Sequence, residues 1–237
     1  MRENNLTMLG HLAELRKRLL IIFLVNVVSI FVCYEYADKL TEIFLKMNPN
    51  MKLVYLTPPE LFLAYVKISL VSGAVIVSPI TLSQIWGFIG PGLYKDEKNY
   101  LMASLFAGVI FFLTGSFFAY KIVLPTMLSF FARLQIDEIS AMISVGAYLD
   151  FICSILFTFG IVFEIPVVVA LLAKLKILRA ETLRKKQPIL IMLIFIVAAL
   201  MTPPDIVSQI MLAVPMIFLL QLSIGICWMI NKSQEDK

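Results

Sequence analysis

Residues 151–173 read FICSILFTFGIVFEIPVVVALLA, and this stretch decides the fold. As a helix it is long enough to cross a bilayer, which takes about 20 apolar residues. Glu164 interrupts it near the middle, where a charged side chain costs roughly 2.5–3.5 kcal/mol on insertion scales. Either Glu164 sits there neutral, or something polar comes to meet it. Pro166, two residues on, removes a helical hydrogen bond and kinks the rod.

Outward from this stretch the composition stays that of a membrane protein. Hydrophobic residues make up 60% of the 237-residue chain and the mean hydropathy is +0.92. The apolar residues fall in blocks rather than on a helical stripe. Spans are expected at about 19–37, 68–89, 100–120, 151–173, 188–201 and 206–230, within one membrane domain covering 1–237. The block at 188–201 is short, with 14 residues. No small-x-small site follows the first block, so no cleavable signal peptide is expected. Cys33, Cys153 and Cys227 have no CxxC spacing. Cys33 and Cys153 are either a disulfide pair or, as free cysteines usually are, small core residues.

Orientation follows from Lys and Arg. The segments before span 1, between 2 and 3, between 4 and 5, and after 6 hold 14 of the 20, with six in 174–186 alone. Short basic loops stay cytoplasmic, which puts both termini inside. The net charge of +4 is a topology signal and implies no nucleic-acid partner. The expected fold class is therefore all-α: a polytopic membrane protein with six transmembrane helices in a kinked, concave bundle, N-in and C-in. Pro79, Pro166 and Pro215 supply the kinks.

The head, residues 4–19, reads as an amphipathic helix. Met8, Leu12, Leu15 and Leu19 form an apolar stripe, with His11, Glu14 and Arg18 on the adjacent polar face. Composition favours a surface helix lying on the inner leaflet. Glu14 and Arg18 form an i,i+4 pair worth a few tenths of a kcal/mol. The loop 35–67 carries the turn signal Asn48-Pro49-Asn50. Thr57-Pro58-Pro59-Glu60 and Thr202-Pro203-Pro204-Asp205 share one pattern: Thr at the helix cap, Pro at the first helical position, and an acid that reaches back. Each predicts a helix start.

Enzyme chemistry finds no support. His11 is the only histidine and falls in the cytoplasmic head, which excludes an intramembrane Ser–His pair and any two-histidine metal site. No phosphate-binding loop of the G-x-x-x-x-G-K-[ST] type is present, and no cofactor or metal is expected. Carboxylates remain. Glu14 and the pair Asp96-Glu97 fall on the cytoplasmic side, where acids from two segments together suit a cationic ligand; a guanidinium forks onto a carboxylate. Gln84, Gln209 and Gln221 lie in spans, where amides bond to neighbouring helices. The residues alone also fit a proton-coupled small-solute transporter with Glu164 as relay. Against that, there is neither internal symmetry nor a second mid-membrane acid.

The motifs resemble those of TatC, the polytopic receptor subunit of the twin-arginine protein translocase. They are His11-Leu12-Ala13-Glu14-Leu15-Arg16-Lys17-Arg18-Leu19, Phe88-Ile89-Gly90-Pro91-Gly92-Leu93-Tyr94 with Glu97 beyond, Phe163-Glu164-Ile165-Pro166, Leu183-Arg184-Lys185-Lys186, and Thr202-Pro203-Pro204-Asp205 with Ser208-Gln209. The resemblance implies a receptor for twin-arginine signal peptides that exports folded proteins across the cytoplasmic membrane on the proton gradient. It implies that Glu14 and Glu97 bind the signal, with Phe88, Tyr94, His11 and Arg16 around them. It also implies that Glu164, Gln209 and Asp205 meet single-span TatA-type or TatB-type partners, in an assembly holding several copies of the chain. Asp96 departs from the family pattern by adding negative charge beside Glu97.

Overall fold

The computed structural model describes residues 8–47, 53, 54, 56–89, 97–133, 142–202 and 205–235. Helices account for nearly all of them. Helix α1 (Met8–Tyr34) is unbroken for 27 residues. The head is thus no separate surface helix: it continues straight into the first apolar block. No Gly or Pro lies between His11 and Tyr34, and a helix already running adds a residue without a new nucleus. The stripe predicted for the head does not turn inward, since Leu12 and Leu19 are exposed. Helix α1 packs along α3 (Pro58–Ile89).

Between them lie the short helix α2 (Ala37–Leu45), with Ala37, Thr41 and Phe44 buried, and the two-residue strand β1 (Leu53–Val54). The first span therefore stops at Tyr34, short of residue 37. The turn signal at 48–50 lies outside the described residues. Strand β1 pairs in parallel with β2 (Ile143–Ser144), Leu53 opposite Ile143. Sequence reading gave no sign of this bridge.

The predicted cap at Thr57–Glu60 holds. Glu60 Oε2 accepts from the backbone N–H of Leu56 at 2.7 Å and of Thr57 at 3.4 Å. Its Oε1 accepts from the N–H of Gly146 at 2.7 Å and from the Ser144 hydroxyl. One carboxylate thereby ties the start of α3 to the start of α6 (Val145–Val162). At the second site the pattern fails. Asp205 itself caps α9 (Ile206–Glu235), accepting from Ser208 N–H at 2.7 Å. Thr202 instead closes α8 (Ala180–Met201), its hydroxyl donating to the Ala198 carbonyl at 3.0 Å. Asp outranks Thr as a cap, and the chain uses the better residue.

The third apolar block extends well past residue 120. Helix α4 (Glu97–Phe118) runs through a π-helical turn (Ala119–Val123) into α5 (Leu124–Arg133). Pro125 is the cause: it has no N–H to give and crowds the carbonyl four residues back. A π turn relieves this by bonding at five residues, Leu124 N–H to Ala119 O.

Of the three prolines expected to kink spans, only Pro166 lies at a break. Helix α6 ends at Val162 and α7 (Ile165–Lys174) restarts with Pro166 in its first turn. Helices α3 and α9 run on through Pro79 and Pro215, and α8 through Pro188.

Among the described residues five helical segments are long and apolar enough to cross a membrane. Helix α8, which carries Arg184, Lys185 and Lys186 in its first half, is not among them. The core centres on α6, where Leu149, Ile152, Ile155 and Phe159 are wholly buried against α3, α4 and α8. Cys33, Cys153 and Cys227 are buried and free, in keeping with the core reading.

Candidate functional site

Helix α1 carries the first polar constellation on its N-terminal half. Arg18 Nε donates to Glu14 Oε1 at 3.0 Å and Nη2 to the same oxygen at 2.7 Å. The third nitrogen, Nη1, reaches across to α3, 3.5 Å from both the backbone and side-chain oxygens of Gln84. Both charged side chains are three-quarters buried, at 23% and 22% exposure. The guanidinium lies over Gly87, where a Cβ would stand 3.0 Å from Cζ, 3.2 Å from Nη2 and closer still to Nη1. The Glu14–Arg18 pair is thus more than the local contact the spacing predicts: α3 holds it too.

Arg16 is exposed on the same helix. His11 lies on α1 and Glu97 opens α4, while the placement of their side chains falls outside the described residues. So do Tyr94 and Asp96.

The second constellation lies in a cavity of about 1020 Å³ walled by α1, α3, α4, α6 and α7. Its lining is mostly apolar, with Phe88, Phe112 and Phe157 among the walls. Glu164 enters it from the break between α6 and α7. Its backbone follows from the break: Glu164 N–H bonds to Ile161 O at 3.0 Å, and its carbonyl accepts from Val168 at 2.9 Å. Both carboxyl oxygens are buried and take no hydrogen bond from the described residues. The indole N–H of Trp86 is likewise buried and finds no partner among the described residues, in a residue only 5% exposed.

These groups meet at Gly108. A Cβ there would lie 3.0 Å from Glu164 Oε2, 3.5 Å from Oε1 and 3.5 Å from Trp86 Nε1. An acid and an N–H donor therefore converge on the bare face of a glycine. A polar group left unmet in an apolar setting costs roughly 1–3 kcal/mol, so the notch suits an incoming group that both donates and accepts. Asn26, also on the wall, is already engaged, donating to Ile22 O at 2.8 Å and Thr81 Oγ1 at 3.3 Å.

Asp205 and Gln209 do not line this cavity. Asp205 caps α9 and also accepts from the Ser208 hydroxyl. Gln209 donates to Phe195 O on α8 at 3.0 Å, the interhelical bond expected of an amide within a span. Of the predicted site residues whose side chains are described, the structure brings Phe88 and Glu164 to one cavity. Sequence reading missed Trp86, Gly108 and the hold of Gln84 and Gly87 on Arg18. Trp86 and Gly108 lie 22 positions apart on separate helices, and no periodicity links them. Among the described residues no cluster of three His, Cys, Asp or Glu side chains could hold a metal.

These features define a class: a helical membrane protein that crosses the bilayer several times and keeps a cavity with a buried acid between its spans. The family model described as "Sec-independent protein translocase protein (TatC)" matches residues 10–215. The protein of that name from Helicobacter pylori strain J99 is 38% identical over 226 residues, 95% of this chain and 90% of the relative. That from Carboxydothermus hydrogenoformans is 35% identical over 237 residues, 99% of this chain and 98% of the relative. The crystal structure of the twin arginine translocase receptor TatC superposes with a TM-score of 0.84 at 34% identity, over 92% of this chain and 97% of that one. The chain belongs to the TatC family.

Proposed function

We propose that this chain is the twin-arginine signal receptor and core subunit of a translocase that carries folded proteins across the cytoplasmic membrane. The observation that carries the reading is Glu14, a three-quarters buried carboxylate already bonded to a guanidinium. A site that takes one arginine in this way has the chemistry to take another. Glu97 supplies the second acid for the arginine pair. Phe88, Tyr94, His11 and Arg16 form the surround.

The chain crosses six times with both termini cytoplasmic, on the strength of the Lys and Arg distribution. Glu164 receives a polar side chain from a single-span TatA-type or TatB-type subunit, and Asp205 and Gln209 mark where such a helix runs beside α8 and α9. Several copies assemble, and the proton gradient drives transport. It is a transport protein with no catalytic group of its own. A proton-coupled solute transporter fits less well, because Glu164 is the only acid among the described residues lining the cavity.

The test is binding of a twin-arginine peptide to the purified protein. Binding that is lost when the pair becomes Lys-Lys supports the receptor. Equal binding of both peptides removes it.

A further inference from the structure

We propose that Arg18 makes the receptor selective for arginine by occupying Glu14 while no signal is bound, so that only another guanidinium displaces it readily. The proposal rests on the reading of Glu14 as a signal-binding acid.

Arg18 is seated as a ligand would be. All three of its nitrogens are used: Nε and Nη2 on Glu14 Oε1, at 3.0 and 2.7 Å, and Nη1 toward Gln84 at 3.5 Å. The short bonds are to the acid and the long ones are to α3. An ordinary i,i+4 pair on a helix surface has no third anchor and no recess. Here Gly87 provides the recess, since the three heavy atoms nearest to a Cβ at that position all belong to the Arg18 guanidinium. Both short bonds go to Oε1 of Glu14, and Oε2 takes neither.

An incoming arginine can dock on that oxygen and then replace Arg18 on the other. The exchange conserves the charge-assisted bonds, fork for fork. A lysine cannot match it, because an ammonium is a compact point donor without the planar fork. The resident side chain thus sets a threshold: it lowers affinity for every cation, and lysine falls below what is needed. Apparent affinity is reduced by the fraction of time the site is closed.

The experiment uses the full chain in lipid nanodiscs. Fluorescence anisotropy measures the affinity for a labelled twin-arginine peptide and for its Lys-Lys counterpart. Arg18→Gln removes the occupant. Gly87→Ala keeps it, and keeps every charge, but puts a methyl group where the guanidinium lies; a flexible side-chain tip moves, so the fold is unaffected. Both variants are expected to bind the arginine peptide about three- to tenfold tighter and to acquire measurable binding of the lysine peptide. If both bind the arginine peptide as the parent does, or more weakly, the proposal is overturned, because Arg18 then orients Glu14 or does nothing. Should Arg18→Gln fail to fold, Gly87→Ala decides alone. Glu14→Ala separates the two layers of the argument. Loss of binding there keeps the Glu14 reading whatever the other variants do, and retained binding sinks that reading and the proposal with it.

Discussion

A methyl group at position 108 would meet Glu164 Oε2 at 3.0 Å and Trp86 Nε1 at 3.5 Å. A substitution there acts on the polar notch without changing a charge. Gly108→Val is expected to leave signal-peptide affinity near its parent value while cutting export of a reporter protein about tenfold or more, since each unmet buried polar group costs about 1–3 kcal/mol. Unimpaired export would mean that nothing enters the notch. Glu164 itself separates charge from hydrogen bonding. Glu164→Gln keeps an acceptor and a donor and should retain most partner co-purification, whereas Glu164→Leu should lose it. If the leucine variant exports as well as the parent, the acid is only tolerated. For the proposed signal site, Glu97→Ala should weaken peptide crosslinking without affecting membrane insertion. Losing one partner of such a charged pair costs about 2–5 kcal/mol. Undiminished crosslinking in the Glu14→Ala, Glu97→Ala double variant would remove both residues from the site.

Helices α8 and α9 carry the geometry that matters at the next scale. The apolar run 188–201 has 14 residues, or about 21 Å of helix against a hydrocarbon core of about 30 Å. On the proposed six-span path the deficit is met by Lys185 and Lys186 snorkelling, by local thinning of the bilayer, or by both. Thinning beside this pair lowers the barrier for cargo passing next to it. The alternative is a re-entrant hairpin that never reaches the far side. A cysteine in the turn distinguishes them, in a background lacking Cys33, Cys153 and Cys227. Asp205 is a poor place for it, because its carboxylate caps α9. Ile206, 74% exposed, is the better reporter. Labelling of Ile206→Cys on intact cells by a membrane-impermeant maleimide is expected. Labelling only after the inner face is opened favours the hairpin and ends the thinning argument.

Across the whole molecule, what the sequence made legible follows the range of the interaction. Helical class, the apolar blocks and the break at Glu164 were readable because composition and a single proline decide them. The Glu60 cap was readable because all its first contacts lie within four positions. The continuity of α1 was not. Its head and span differ in composition, and composition suggested two bodies, while the backbone needs only the absence of Gly and Pro to run on. The second cap was misread because two capping residues stood three apart and the stronger one won. The tie from Glu60 to Gly146 and the notch at Gly108 depend on residues from different helices. Only the packing of α3, α4 and α6 brings those together.

The π turn at 119–123 has a consequence for how this chain tolerates insertions and deletions. It holds one residue more than a regular helix would, so it acts as a phase slip of about 100° between the two halves of the third rod. Helix α5 keeps Leu124, Met127 and Leu128 buried only because that extra residue turns them into place. Ile122 is 53% exposed, and Ile122→Ala should unfold at nearly the parent temperature. Deleting Ile122 instead should lower the unfolding midpoint sharply, by rotating three buried side chains off the core and setting Pro125 against a regular helix. A deletion as stable as the alanine variant would show that the two halves do not depend on their relative phase.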